Sequence, residues 1–191
     1  CPIFSSSPTR YLKGAQAARN GSIGDIMGAD SYSGCPLEPT HPDFYWCGIH
    51  GIEILFTMMG KDCHTVQRRH TQNTDHVVGI WDNDRIGTYR GIRKGKVTHS
   101  GVAYGLNEIL PAGSFNDVGH RPLVIDMLKF FKTGISPVEI EETLAIHVFM
   151  EAADESKRQG GIPISMKAVL AKGNSVRQSL IWLQTGKMKS V

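Results

Sequence analysis

No Cys-x-x-Cys pair occurs among the four cysteines of this 191-residue chain, which argues against a disulfide framework or a paired-thiol motif. Cys1, Cys35, Cys47 and Cys63 read instead as reduced thiols of a cytoplasmic protein. No run reaches the roughly eighteen apolar residues of a membrane-spanning helix. No charged-then-apolar leader is visible, and the chain begins at Cys1 and not at Met, so it reads as processed or as a piece of something longer. Net charge is only +3. Its nearest thing to a basic cluster, "RGIRKGK" at 90–96, suits a solvated hairpin end better than a phosphate track. Neither nucleic acid nor membrane is an expected partner. A G-x-G-x-x-G fingerprint is missing as well, because "GSIGDIMG" has the wrong spacing and leads into a predicted strand.

What is present is ordinary globular material, 40% hydrophobic and 20% charged, enough for one well-buried core. Ser7 and Pro8 carry helix-start chemistry, and the helix they open is predicted to run to Asn20-Gly21. A strand is expected over 23–34, then a loop over 35–44, where Pro36, Pro39 and Pro42 forbid regular structure. An apolar helix follows from Gly48 to Gly60. Strands at 63–72, 75–82, 85–93 and 97–105, separated by Asn/Asp/Gly turn signals, imply an antiparallel meander. Helices return at 121–134 and after Ser136, where Ser136 and Glu139 form a capping-box pattern with Pro137 in the first turn. "IPISM" reads as a last short strand. The order implies an α+β fold: an antiparallel or mixed open sheet with helices packed on one face, its other face left for a partner or ligand.

One segment does not fit plain core. In "DFYWCGIHGIEILFTMMGKD" the residues Ile49, Ile52, Leu55, Phe56 and Met59 have helical spacing. His50, Glu53 and Thr57 stand at i, i+3 and i+7, a polar stripe on a different face. A histidine and a carboxylate there either bridge within the core or serve a ligand. A metal reading competes, since cysteines and histidines gather between Cys35 and His76 and Cys47-x-x-His50 has ligand-like spacing. A structural zinc site wants two paired clusters, however, and the other candidates are scattered, so no metal ligand is assigned.

Three motifs, in order, decide between these. "TRYLKGAQAARNGSIGDIMGADSY", "HPDFYWCGIHGIEILFTMMG" and "GISPVEIEETLAIHVFMEAADESKRQGGIPISM" resemble the C-terminal domain of the glucose–fructose oxidoreductase/inositol dehydrogenase (Gfo/Idh/MocA) family. That family shows an Arg-aromatic helix leading to G-x-I-G-x-I, then a G-I/V-H-x-x-D/E helix, then E-A-A-x-x-S before a Gly and a closing strand. The similarity runs from about Ile3 to Met166 and is absent from the last twenty-odd residues.

The resemblance implies that residues 1–191 are a single C-terminal substrate-binding and oligomerisation domain. Its parent would be an NAD(P)-dependent oxidoreductase acting on a sugar, cyclitol or glycoside hydroxyl. The family's N-terminal Rossmann domain and its Glu-Lys-Pro element are missing here, so NAD or NADP is expected in the parent and not on this fragment, which alone should not transfer hydride. His50 matches the family's histidine, which orients the hydroxyl and moves its proton, and Glu53 matches its second acidic position. The family commonly has Asp four residues before the histidine; here Trp46 stands there, offering a flat face for a sugar ring, with Tyr45 beside it. Asp43 is a doubtful substitute. Arg10 matches an arginine near the domain junction, placed to contact substrate or lock the domains. Trp81 and Arg90 are weaker candidates for the pocket or for the interface of a homo-oligomer formed through the sheet. The alternative is a non-enzymatic oligomeric or carbohydrate-binding module that kept the fold and lost the nucleotide domain.

Overall fold

Alternating burial builds the middle of the sheet. In β3 (Thr74–Trp81) every second residue is buried, Asp75, Val77, Gly79 and Trp81, while the residues between them are half-exposed. That is the pattern of a strand with one face in a core. The computed structural model describes residues 6–175, so Cys1, the start of the resemblance near Ile3, and 176–191 lie outside the described residues. Strand β2 (Cys63–His70) pairs antiparallel with β3, and β3 with β4 (Ile86–Ile92), which is the expected meander.

The fourth predicted strand departs from that plan. β5 (Ser100–Gly105) does not join β4. Instead β1 (Ile26–Gly34) lies between them, parallel to β4 and antiparallel to β5. With β6 (Ile109–Pro111), which the sequence reading missed, and the two-residue β7 (Ile164–Ser165), the mixed sheet runs β6-β5-β1-β4-β3-β2-β7. A parallel pair needs a crossover, and α2 (Gly48–Met59) begins it. Short links between predicted strands do not reveal that an earlier strand will be inserted.

Helices α2 and α4 (Ile140–Arg158) cover one face. Between them and the sheet Trp81 meets the rings of Phe56 and Phe149 at centroid distances of 5.5 and 6.0 Å. Gly79 and Gly87, paired across β3 and β4, make room for the indole. A Cβ on either would stand 2.5 or 2.7 Å from its ring, inside any van der Waals contact. Trp81 is fully buried and its Nε1–H donates to the Gly60 carbonyl at 2.9 Å, so it is a core residue and not a ligand contact. Arg90 is exposed on the opposite face of β4.

Two predicted helices are trimmed. The first splits at Leu12 into a 3-10 turn (Pro8–Tyr11) and α1 (Lys13–Arg19). The Ala112 carbonyl accepts from Gly14 and Ala15 N–H at 2.9 and 3.2 Å, satisfying donors that an unbroken helix would have bonded internally. The capping box at Ser136 does not form. Ser136 Oγ bonds to Val138 instead, and Glu139 becomes the N-cap and pairs with Lys61 at 2.6 Å. α3 (Arg121–Thr133) ends at left-handed Gly134 as expected but has no buried residue; Val124, Leu128 and Phe131 are exposed. A further helix begins after β7 and continues to residue 175.

A buried ionic cluster ties the 35–47 loop to the sheet and to α4. The guanidinium of Arg68, wholly buried, bonds Asp43 and Asp75 at 2.6 and 2.7 Å and Asp154 at 2.5 Å. Arg93 bonds Asp43 and Asp75, and Phe44 lies beneath the Arg68 charge at 4.0 Å. Arg93 is therefore turned inward out of the basic run, which reduces any phosphate track at 90–96.

Candidate functional site

Helix α2 ends where the sequence says it should. Gly60 takes a positive φ of 81° and donates its N–H to Phe56 O at 2.9 Å. From Gly51 to Met59 it is buried on every side, so the polar stripe does not face an open cleft along its length. Thr57 Oγ1 donates to Glu53 O at 2.8 Å, a bond within the helix. Only the first turn, with Ile49 and His50, is partly open.

Glu53 is 4% exposed, because the segment from Ser6 to Thr9 folds over it. Its carboxylate accepts from Ser6 Oγ at 2.9 Å, from Ser7 N–H at 2.9 and 3.0 Å, from Ser7 Oγ, and from Thr9 Oγ1 at 3.3 Å. Burial pushes the carboxyl above its ordinary range, and the Ser7 and Ser6 donors pull against that. With its acceptor positions taken up, Glu53 anchors the N-terminal segment and does not present free oxygens.

His50 sits at the junction of two cavities. One, of about 160 Å³, is lined by Ser6, Ser7, Ile49, Glu53, Thr143 and His147 among others. The second, of about 130 Å³, is lined by Pro8, Thr9, His99, Phe115 and His120. The Nδ1 of His50 is sealed from solvent and has no hydrogen-bond partner, an uncommon state for a buried polar atom. Burial lowers the basicity of the ring and the neighbouring His99 lowers it further; burial does the same to His99. In α4 the Nδ1–H of His147 donates to Thr143 O at 2.8 Å, which leaves Nε2 able to accept whenever the ring is neutral.

The other predicted site residues lie elsewhere. Arg10 is buried and committed to Glu142, which also binds Arg19 at 2.8 Å, so its charge fastens the N-terminal turn to α4 and is not offered to a ligand. Tyr45 is half-buried, its hydroxyl donating to His147 O at 3.4 Å. Trp46 is exposed against the His41 ring at 4.8 Å. Neither lines a cavity beside His50. Asp43 is bound into the ionic cluster; burial opposes its charge, but Arg68 and Arg93 hold its carboxyl at about 2, so it is no substitute acid. Among the described residues no three His, Cys, Asp or Glu side chains converge as a metal ion requires, and Cys47 and His50 find no further ligands. The sequence reading missed His99, His120 and His147. Each stands alone in its segment, and only the fold brings it to His50.

No family model matches the chain, and no curated protein matches it in sequence. Solved structures do match it in fold. Myo-inositol 2-dehydrogenase from Lactobacillus plantarum is 16% identical, with a TM-score of 0.66 over 85% of this chain and 65% of its own. Scyllo-inositol dehydrogenase from Lactobacillus casei, solved with NAD(H) and scyllo-inositol, is 13% identical, with a TM-score of 0.65 over 85% of this chain and 62% of its own. An oxidoreductase from Agrobacterium radiobacter, in complex with NAD+, L-tartaric acid and magnesium, is 14% identical, with a TM-score of 0.65 over 87% of this chain and 66% of its own. The chain spans less than two thirds of the length of each. It has the fold of inositol dehydrogenases over the matched part, as the sequence resemblance implied.

Proposed function

We propose that this chain is the substrate-binding and oligomerisation domain of an NAD(P)-dependent oxidoreductase that acts on a sugar, cyclitol or glycoside hydroxyl. The observation that carries this reading is His50, partner-free at Nδ1 and set between two cavities, on a fold shared with enzymes solved with inositol and NAD(H). Oxidising a carbinol requires its hydroxyl proton to leave. An imidazole held below its ordinary basicity is neutral at pH 7 and free to accept that proton. Glu53 acts as a positioning residue: it pins Ser6 to Thr9 against the first turn of α2 and so shapes both cavities.

The nucleotide is a different matter. "GSIGDIMG" runs directly into β1, with Gly28 already paired to Tyr104 and Ile86, and so lacks the strand–turn–helix geometry that cradles a pyrophosphate. The residues in hand do not fit a dinucleotide, and its binding is assigned to the parent protein. Oligomerisation is assigned to the outer sheet face, where Ile86 and Arg90 are exposed and Val78 and Ile80 are partly buried. The free thiols of Cys35, Cys47 and Cys63 favour a cytoplasmic setting, and no helix among the described residues is long and apolar enough to cross a membrane.

The test is titration of the full chain with myo-inositol, followed through its imidazole NMR signals. Shifts at His50, and weakening of about tenfold or more in His50→Ala, are expected. Binding that is indifferent to His50→Ala would sink the reading. The non-enzymatic module is distinguished by the parent protein: inositol binding there without NAD(P)-dependent oxidation of any polyol would favour it.

A further inference from the structure

The second cavity beside His50 has an unusual lining. Its polar groups are the Thr9 hydroxyl and three imidazoles, those of His50, His99 and His120, and no carboxylate is among its lining residues. The three rings come from separate places: the first turn of α2, the residue before β5, and the N-cap of α3. His50 and His99 meet edge to face at 5.5 Å, and His120 is braced edge-on by Phe115 at 5.3 Å. Imidazoles grouped in this way repel one another when protonated unless an anion lies among them.

Neighbouring charges point the same way. Glu53, one turn from His50, lines the other cavity and is taken up by Ser6, Ser7 and Thr9. Asp117 is exposed on the turn that carries Phe115 and is not a lining residue. Arg10 is paired with Glu142. His120 also opens the 13-residue α3, whose first turn has no side-chain cap, so the partial positive charge of a helix N-terminus lies beside the cavity. At about 130 Å³ the cavity is smaller than the several hundred Å³ of a whole-ligand pocket and suits one functional group.

We infer that this cavity is a carboxylate subsite, and that the ligand gripped at His50 is an acidic polyol, a sugar acid or hydroxy acid, in place of a neutral one. The inference rests on the proposed function and narrows its substrate class. The ligand's carboxylate sits among the imidazoles while its hydroxyls reach the Ser/Thr-lined cavity on the other side of the His50 ring. Imidazole N–H groups donate to the carboxylate, whose charge offsets the burial that otherwise disfavours protonated His99, and hydrogen bonds to an ionised acceptor are about twice as strong as neutral ones.

The experiment titrates the full chain with D-glucuronate, D-glucose and D-glucose 6-phosphate at pH 6 and pH 8, again followed through its histidine signals. Glucuronate is expected to bind about tenfold tighter than glucose at pH 6, with the preference shrinking at pH 8, where the proton that the carboxylate favours on His99 is harder to supply. The signals of His50, His99 and His120 should move together. The double variant H99Q/H120Q should bring the ratio near one, and His120→Arg, which keeps a positive charge, should preserve it. Equal binding of glucuronate and glucose with a His50 response overturns the subsite and leaves the proposed function standing. Tighter binding of the 6-phosphate than of glucuronate overturns the carboxylate assignment. A preference that survives H99Q/H120Q overturns the role of those residues. Failure of all three sugars overturns the subsite, and failure of myo-inositol as well, with His50 silent, overturns the underlying reading.

Discussion

The imidazoles of His50 and His99 meet edge to face with ring centroids 5.5 Å apart, joining the first turn of α2 to the residue before β5 across 49 positions of sequence. Their environment disfavours the charged form of both, through burial first and, for His50, through its neighbour. The sign of the pH effect follows. Below the ordinary value of 6.5 the unfolded chain takes up protons that the folded pair resists, so stability is fully present above about 6.5 and falls as pH drops toward the lowered values. Thermal melts between pH 8 and pH 5.5 should show this, and His50→Gln with His99→Gln should flatten the slope. His76 shifts in the same direction, which is why the comparison is with the variant and not with an absolute slope. Parallel curves would refute the coupling.

Arg68 is the most consequential charge in the molecule. Replacing it with Met leaves Asp154 without its ion-pair partner and Asp43 and Asp75 with Arg93 as their only buried cation, and the cost is expected near 3–5 kcal/mol in urea unfolding. The Asp43 carboxyl, held at about 2 against an ordinary 3.8, contributes stability that is complete above 3.8 and lost as pH falls toward 2. That acid-limb contribution should shrink in the variant.

Glu53→Gln tests the anchoring role. Glutamine has one acceptor oxygen, and its amide would face the Ser7 N–H that the carboxylate now receives on both oxygens. A loss of about 1–3 kcal/mol is expected, with amide hydrogen exchange accelerated across residues 7–11. Unchanged exchange there would show that the segment is held by something else.

Gly87→Ala tests the placement of Trp81. The added methyl would stand 2.7 Å from the indole and force it or the strand to move, at about 1–3 kcal/mol. Tryptophan fluorescence should report the displacement, while the glucuronate-to-glucose ratio stays as in the parent chain. A changed ratio would return Trp81 to the ligand site.

Local chemistry determined a good deal of this protein. Alternation in β3, Gly60 and Gly134 as helix stops, and the apolar spacing of α2 are short-range signals that survive in the fold because nothing distant competes with them. His50 and Glu53 were legible for the same reason: polar residues at helical spacing inside an apolar run are conspicuous. Other features were decided only by tertiary structure. The insertion of β1 between β4 and β5 depends on backbone pairing that no side-chain pattern encodes. Trp81 is core because two glycines on adjacent strands leave its ring a bed, and Arg10 is structural because Glu142 lies 132 residues away in sequence and next to it in space. The histidines that gather around His50 in the candidate site come from a strand entrance and two helices. A lone imidazole in its own segment says nothing, and it acquires a function only from the neighbours that folding brings.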